Sequence, residues 1–577
     1  MSRALAQMTS IRGNGVPNPR YLRFSGSSSG LYTSPSLLEL FPVGPYRLTE
    51  SVWQSYWVIF PRTITPRNIG FETPTANKLL YRTIIRLPGS LPGVRAFATN
   101  TLPPQRSVGC TVTLPKRLYA ASRSRFARRN SAFLSTMATA RKIQLSAQTD
   151  TGIFSSGIRE DTARAASEAL QTDMESHHVF FNDDGFHNHI PHSLLSIYAL
   201  GGSPEDIRAA YERNTSYQRK VVPAVVEVIE EMNKTGDFKE YLGKEKHYPN
   251  FLSFFQRQID EKGVGAVLNE YLFAETEQAE NMLCRLWGGL VHPLIHLGFG
   301  LEFNQPAIVA QALAQAAVHE DRLGRDLFLP AEKLAGGIGK PGKKSLRQLL
   351  EEIRKDETLS RSVKNTDVNK IRDGVMHRAP QEMRQYAAQY TVSEDQVEER
   401  LADMINNVVY YTSAAQRPNK AVKLDFFFIH CVNSSIFFSK LAHLPELSQR
   451  TRLRLLEWKG RMDLLMYVSR GCPKLLRDEI TNYPVKNDWS TLFARAASHP
   501  VDDGHLAKFV RAAAHGEKAC KPFESQGPQA MPVSGNMWLQ IGNLAIDSTV
   551  GDEDGAMWIR STGFDEAWQH VPGRARL

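Results

Sequence analysis

The sequence predicts an all-α protein, a single large helical domain with a disordered N-terminal extension. Apolar residues recur at three-and-four spacing through residues 161–170, 204–211, 221–233, 305–318, 346–355, 393–409 and 506–514, the pattern of helices that each bury one face. Alternating runs of the strand type are scarce, and no fixed-period repeat is present. Local capping signals agree: Ser203-Pro204-Glu205-Asp206 sets a hydroxyl at a cap, a proline in the first turn and a carboxylate at the third helical position. The glycine- and proline-bearing stretches 336–344 and 522–535 are the main expected interruptions.

A chain of 577 residues has room for a large core, and its net charge of +10 raises the question of nucleic acid. The distribution of charge answers it. Residues 1–136 hold 18 of the 70 Lys+Arg but only three of the 60 acids (Glu39, Glu50, Glu72), a net of +15; the remainder, with 52 bases against 57 acids, carries −5. The acidic remainder is not expected to bind nucleic acid. The leader itself, rich in Ser, Pro and Arg and free of histidine, shows no sustained periodicity. It reads as disordered, or as translated sequence upstream of a start at Met137; its acid-poor, arginine-rich composition is also that of an organelle import signal. Residues 137–176 are expected to supply a linker and first helix, and 177–570 the catalytic domain. Without a run of 18 or more apolar residues, no membrane span is expected. Five scattered cysteines (Cys110, Cys284, Cys431, Cys472, Cys520), with no CxxC, fit a reducing compartment, and the expected location is cytoplasmic unless the leader directs import.

Chemistry concentrates in four stretches that set histidine inside apolar, helix-like sequence. His187-Asn188-His189-Ile190-Pro191-His192 runs into a helix whose first turn suits Pro191 and which carries His192. His292-Pro293-Leu294-Ile295-His296 spaces two imidazoles four residues apart, the interval at which one helix can offer two ring nitrogens to one ion, with Pro293 kinking that helix or starting a new one. His430 lies in Asp425-Phe426-Phe427-Phe428-Ile429-His430, too apolar to face solvent, and His505 in His499-Pro500-Val501-Asp502-Asp503-Gly504-His505. A single histidine is more often an ordinary half-buried residue than a ligand. Four apolar-embedded sites in one helical domain favour a shared transition-metal centre, since bundles build such centres from facing helices.

A metal held by neutral imidazoles keeps its full charge, so an anionic neighbour is expected. Glu302, Asp463 and Asp503 are candidates. Lys508 is another: one turn beyond His505, an unprotonated lysine beside a metal can add carbon dioxide and act as a carboxylate, although its wheel position also suits a solvated side chain. Two strings are dismissed on context. Gly26-Ser27-Ser28-Ser29-Gly30 lies in the leader without a preceding strand, and Gly337-Ile338-Gly339-Lys340-Pro341-Gly342 follows charged, helical sequence, so neither a nucleophile elbow nor a dinucleotide fold is supported.

The run from His189 through Tyr198 to Gly202, then Trp287 to Glu302, resembles the questin oxidase-like family of fungal aromatic-polyketide pathways. Asp425 to His430, Tyr467-Val468-Ser469-Arg470-Gly471-Cys472-Pro473, Asp503 to Arg511 and Gly563-Phe564-Asp565-Glu566-Ala567-Trp568 look like its later blocks, in the same order, across about residues 177–570. Gly202 and Asn433-Ser434-Ser435 depart from the family's pattern, where Ala and a Thr-containing run are expected. The resemblance implies an oxidoreductase, a monooxygenase that cleaves a ring of an anthraquinone-type aromatic polyketide by Baeyer–Villiger-like oxygen insertion from dioxygen, with NADPH as reductant. No recognisable NADPH fold accompanies that implication. Iron is the metal expected to activate dioxygen, with His189, His292, His296 and His430 as ligands, His192 and His505 in reserve, and Lys508 or Glu302 as the anionic catalytic partner. Trp287, Phe299, Phe427 and Phe428 suit a flat apolar substrate, though core packing is the commoner role of such residues. The competing readings are a zinc-dependent hydrolase and a noncatalytic helical ligand carrier whose histidines make ordinary core hydrogen bonds.

Overall fold

A computed structural model describes residues 137–149, 151–551 and 555–574, so the expectations for the basic leader lie outside the described residues. The described residues are helical, with isolated β-bridges and no named strand among them. The helices that place the site are α1 (Glu160–Ser176), α2 (Ile190–Ala199), α3 (Pro204–Thr215), α4 (Tyr248–Lys262), α5 (Gly288–Glu302), α6 (Pro306–Val318), α7 (Val397–Ala414), α8 (Phe428–Ser435), α9 (Gln449–Ser469), α10 (His505–Cys520) and α11 (Met537–Ser548). No helix among the described residues is long and apolar enough to cross a membrane.

The predicted punctuation is present. Ser203 and Asp206 form a reciprocal capping box at α3, with Pro204 in the first turn, so two otherwise orphaned N–H groups are satisfied. Pro191 occupies the first turn of α2. The segment expected to be helical from 221 begins only at Val226. Pro223 restrains the residue before it to extended geometry, and the freed backbone bonds elsewhere: the Val221 N–H donates to the Ser176 carbonyl and the Val225 N–H to Asn250 Oδ1. The helix expected over 393–409 is α7, preceded by a short 3₁₀ turn at Glu394–Gln396. The glycine string at 337–342 follows a helix, Leu329–Leu334, as its sequence context required.

α5 lies at the centre, packed on α6, which in turn packs on α4; α2 and α8 also contact α5, and α10 packs on α2, α7, α8 and α11. α5 is buried through almost its whole length. At Gly298 an added Cβ would sit 2.2 Å from the Phe437 ring, so only glycine admits that ring against the helix. Trp287, Phe299 and Phe428 are each at most 1 % exposed and pack in the core. Phe427, in contrast, is half-buried at the start of α8.

Candidate metal centre

Four chain segments deliver one imidazole each to a common point. His189 stands at the N-cap of α2. His292 belongs to α5, whose first turn is left-handed at Gly289, Leu290 and Val291 (φ 51°, 57° and 59°) before Pro293 opens the right-handed part. Two non-glycine residues in that region cost about 1–2 kcal/mol each, and the result is a Gly289 carbonyl turned back 2.6 Å from His292 Nδ1. Strain of this kind persists where surrounding packing holds it. His430 lies in the first turn of α8, with Nδ1 2.7 Å from the Phe426 carbonyl. His505 begins α10 after Gly504 (φ 102°), where a Cβ would come within 2.7 Å of Ser193, so glycine brings this end of α10 against α2.

The four rings form a closed circuit with centroid separations of 5.1 Å (His189–His292), 5.0 Å (His292–His430), 4.9 Å (His430–His505) and 4.7 Å (His505–His189). Their outward nitrogens all face acceptors that carry no hydrogen. Besides the two carbonyls, the Asp503 carboxylate takes His505 Nδ1 at 2.5 Å on one oxygen and His189 Nδ1 at 3.3 Å on the other. Each ring therefore keeps its proton on Nδ1, and each Nε2 presents a bare lone pair inward. The inward pairs stand close, at 2.9 Å for His189–His292 and 3.2 Å for His430–His505. Two lone pairs at that distance repel unless a cation lies between them, which is the donor chemistry of a metal centre. One ligand atom from each of His189, Asp503 and His505 also falls within 4.8 Å of the others. Asp503 nevertheless faces the Nδ1 side of both rings, so it serves as their orienting acceptor, the usual partner of a ligating histidine.

Burial and mutual repulsion keep the rings neutral. His292 and His430 are held well below the ordinary imidazole range, first by desolvation and then by neighbouring histidines, and His430 also by Lys508. Burial brings His189 to about 4, although Asp503 opposes the shift. Burial works to raise Asp503, but His505 and His189 outweigh it and hold the carboxyl well below its usual range. Lys508 is 3 % exposed and its Nζ has no hydrogen-bond partner. Burial brings that amine to about 8 against the pull of Asp503 and Asp502, so it gives up its proton more readily than an ordinary lysine.

The sequence candidates divide accordingly. His189, His292, His430 and His505 converge, and Lys508 stands one turn beyond His505. His192 and His296 form a separate buried pair, Nε2 to Nδ1 at 3.2 Å, with the His192 ring 6.1 Å from those of His189 and His292. The i,i+4 pair on α5 therefore diverges: His292, just after the left-handed turn, joins the four-ring cluster, while His296 Nε2 faces Gln311 at 3.4 Å. Glu302 is committed elsewhere, in a fully buried ion pair with Arg511, whose guanidinium also donates to the Phe154 carbonyl. Asp463 is likewise taken, by Lys459. His319 gave no signal in its polar loop, yet its Nε2 lies 2.8 Å from that of His187, which stacks on His292 at 3.9 Å. A cavity of about 640 Å³, bordered by Val264, Asn304, Gln305, Lys440 and Leu444, includes none of these histidines.

Fold and site together define a helical protein with a buried four-histidine cluster of metal-centre type. Residues 186–513 match the model of the questin oxidase-like family. The chain is 41 % identical over 414 residues to the Baeyer-Villiger oxidase ptaJ of Pestalotiopsis fici, covering 71 % of this chain and 93 % of that protein. It is 38 % identical over 413 residues to the questin oxidase of Aspergillus terreus (70 % and 92 %) and 37 % identical over 445 residues to the questin oxidase of Aspergillus fumigatus (76 % and 100 %). The chain belongs to the questin oxidase-like family and is an oxidoreductase of that family.

Proposed function

We propose that this oxidoreductase opens a ring of an anthraquinone-type aromatic polyketide by Baeyer–Villiger-like insertion of one atom of dioxygen, at an iron centre held by His189, His292, His430 and His505. The observation that carries the metal is the inward convergence of four Nε2 atoms on rings whose Nδ1 atoms each face an acceptor, which assigns the proton of each ring to Nδ1. The carrier reading needs ordinary hydrogen bonds between these rings, and the Nδ1 contacts have already taken the protons such bonds require. Iron bound there would supply the one-electron chemistry by which dioxygen reacts with a closed-shell quinone.

The protein's own groups have defined tasks. Asp503 and the carbonyls of Gly289 and Phe426 hold the tautomers and ring planes. Lys508, buried without a partner, supplies the anionic member of the donor set: its free amine adds carbon dioxide and releases a proton, leaving a carbamate. Inserting one oxygen atom and reducing the other to water consumes two electrons and two protons, and NADPH with a proton accounts for both.

Protein grown in defined medium is analysed for metal beside H292A and H430A, and oxygen uptake is followed with an anthraquinone, with and without NADPH. Iron near one equivalent, lost in both variants together with oxygen uptake, is the expected result. Full activity in metal-free protein refutes the centre, zinc with no oxygen uptake selects the hydrolase, and uptake indifferent to NADPH removes it as reductant.

A further inference from the structure

The chain enters the histidine cluster through a short hairpin. Phe180 pairs with His187 in an antiparallel bridge, the Phe181 N–H donates to the Phe186 carbonyl at 2.7 Å and the Asn188 N–H to the Val179 carbonyl at 2.8 Å. Side chains two apart on an extended strand share a side, so the returning strand sends His187 and His189 the same way, while Asn188 between them donates to Asp173. His189 joins the four-ring cluster. His187 does not, because its Nε2 is taken by His319 Nε2 at 2.8 Å.

The His187 ring instead lies flat on that of His292, with centroids 3.9 Å apart and planes 2° from parallel. Three contacts fix it there. His319, at the C-cap of α6, holds its Nε2. Phe180 packs edge-on against both rings, 5.3 Å from His187 and 5.1 Å from His319. Gly289 completes the seat, since a Cβ there would come within 2.7 Å of His187 and 2.4 Å of His319. His187 is 4 % exposed and neutral, held well below the ordinary imidazole range by burial and then by His319 and His189.

Two like aromatic rings avoid a parallel sandwich, because their negative faces repel. A cation on one ring reverses that preference: it draws electron density from the ring, which then attracts the face of the other. His292 Nε2 points into the cluster, so a metal held there would polarise the very ring on which His187 lies. The stack also restrains rotation of the His292 ring, which the Gly289 carbonyl holds only through Nδ1.

We infer that His187 is a positioning residue of the metal centre: stacked on His292 and clamped by His319, it sets the plane in which His292 offers its Nε2. The inference rests on the metal-centre reading and extends it to a histidine outside the donor set.

The full chain, stripped of metal, is titrated with cobalt(II) as the probe. Competition with a chelator gives the affinity, and the visible ligand-field band reports the geometry of the donors. H187L is expected to bind cobalt(II) about tenfold more weakly than wild type, with a displaced band. H187F/H319A restores a flat ring, the second substitution making room for the larger one, and is expected to recover affinity to within about twofold together with the band. H319A keeps the ring but frees it, and is expected to fall between. A folded H187L with reduced stability in urea but wild-type affinity and band has lost packing alone, which overturns the inference; so does an H187F/H319A protein that behaves like H187L. If H187L does not fold, H319A decides, and wild-type affinity and band in that variant overturn the inference. Wild type that binds neither cobalt(II) nor iron(II) removes the metal-centre reading and the inference with it.

Discussion

The Asp503→Asn substitution tests the proposed centre through the carboxylate that faces the Nδ1 side of two of its rings. One carboxylate accepts from two Nδ1–H groups, at 2.5 Å from His505 and 3.3 Å from His189. An asparagine of the same shape offers one oxygen and one NH₂. If the oxygen stays with the closer ring, the NH₂ faces His189 Nδ1, and His189 must move its proton to Nε2. One of the four inward lone pairs is then lost, together with a buried negative charge. Loss of such an orienting partner lowers metal affinity about 10- to 100-fold, or about 1.4–2.8 kcal/mol, and the upper end is expected here because two ligands share the acceptor. Competition with a chelator for iron(II) measures the affinity. D502N is the control, since Asp502 accepts from the Leu506 and Ala507 backbone N–H groups at the start of α10. It should cost stability and spare affinity. A D503N protein that is folded and binds iron within twofold of wild type would refute the tautomer argument.

Other outcomes follow from the same geometry. In G289A the new methyl would sit 2.4 Å from His319 and 2.7 Å from His187, at a backbone φ of 51°, so a loss of about 1–3 kcal/mol in urea unfolding and weakened iron binding are expected. R511M leaves Glu302 charged and unpaired in a fully buried position, and should cost about 3–5 kcal/mol, whereas E302Q/R511M should be milder. Burial holds His178 and His296 near 4 and His515 near 3. Because unfolded histidines titrate near 6.5, the unfolded state binds more protons as pH falls below that value. Stability of the metal-free protein should therefore be fully present above about pH 6.5 and decline toward pH 4, with a slope of about 1.4 kcal/mol per pH unit for each such group. A flat stability profile across that window would contradict it.

Much of the architecture was legible because helical periodicity and capping are local. The capping box at Ser203, the proline turn at Pro191 and the helix over 346–355 each depend on residues within one or two turns. The helix that began late at Val226 shows the limit, since its first residues found better hydrogen-bond partners in Ser176 and Asn250 than in one another. Buried glycines have a similar logic. Ala was expected at Gly202, but a Cβ there would meet Ile197 at 2.5 Å, a contact no local pattern discloses.

The chemistry was legible as a set of histidines in apolar surroundings, because an imidazole in such a setting needs a partner wherever the chain folds. Which rings meet was a different matter. His292 and His296 share one helix, yet a left-handed turn at 289–291 sends only the first to the centre, and Glu302, one to two turns on, answers to Arg511 some two hundred residues away in sequence. Sequence alone thus determined the helical class, the family and the pool of candidate ligands, since residue type and short-range spacing encode all three. Tertiary structure alone gathered four of the six histidines at one point, set Asp503 against two of them and paired Glu302 with Arg511, because ring direction and charge pairing depend on which helices pack together.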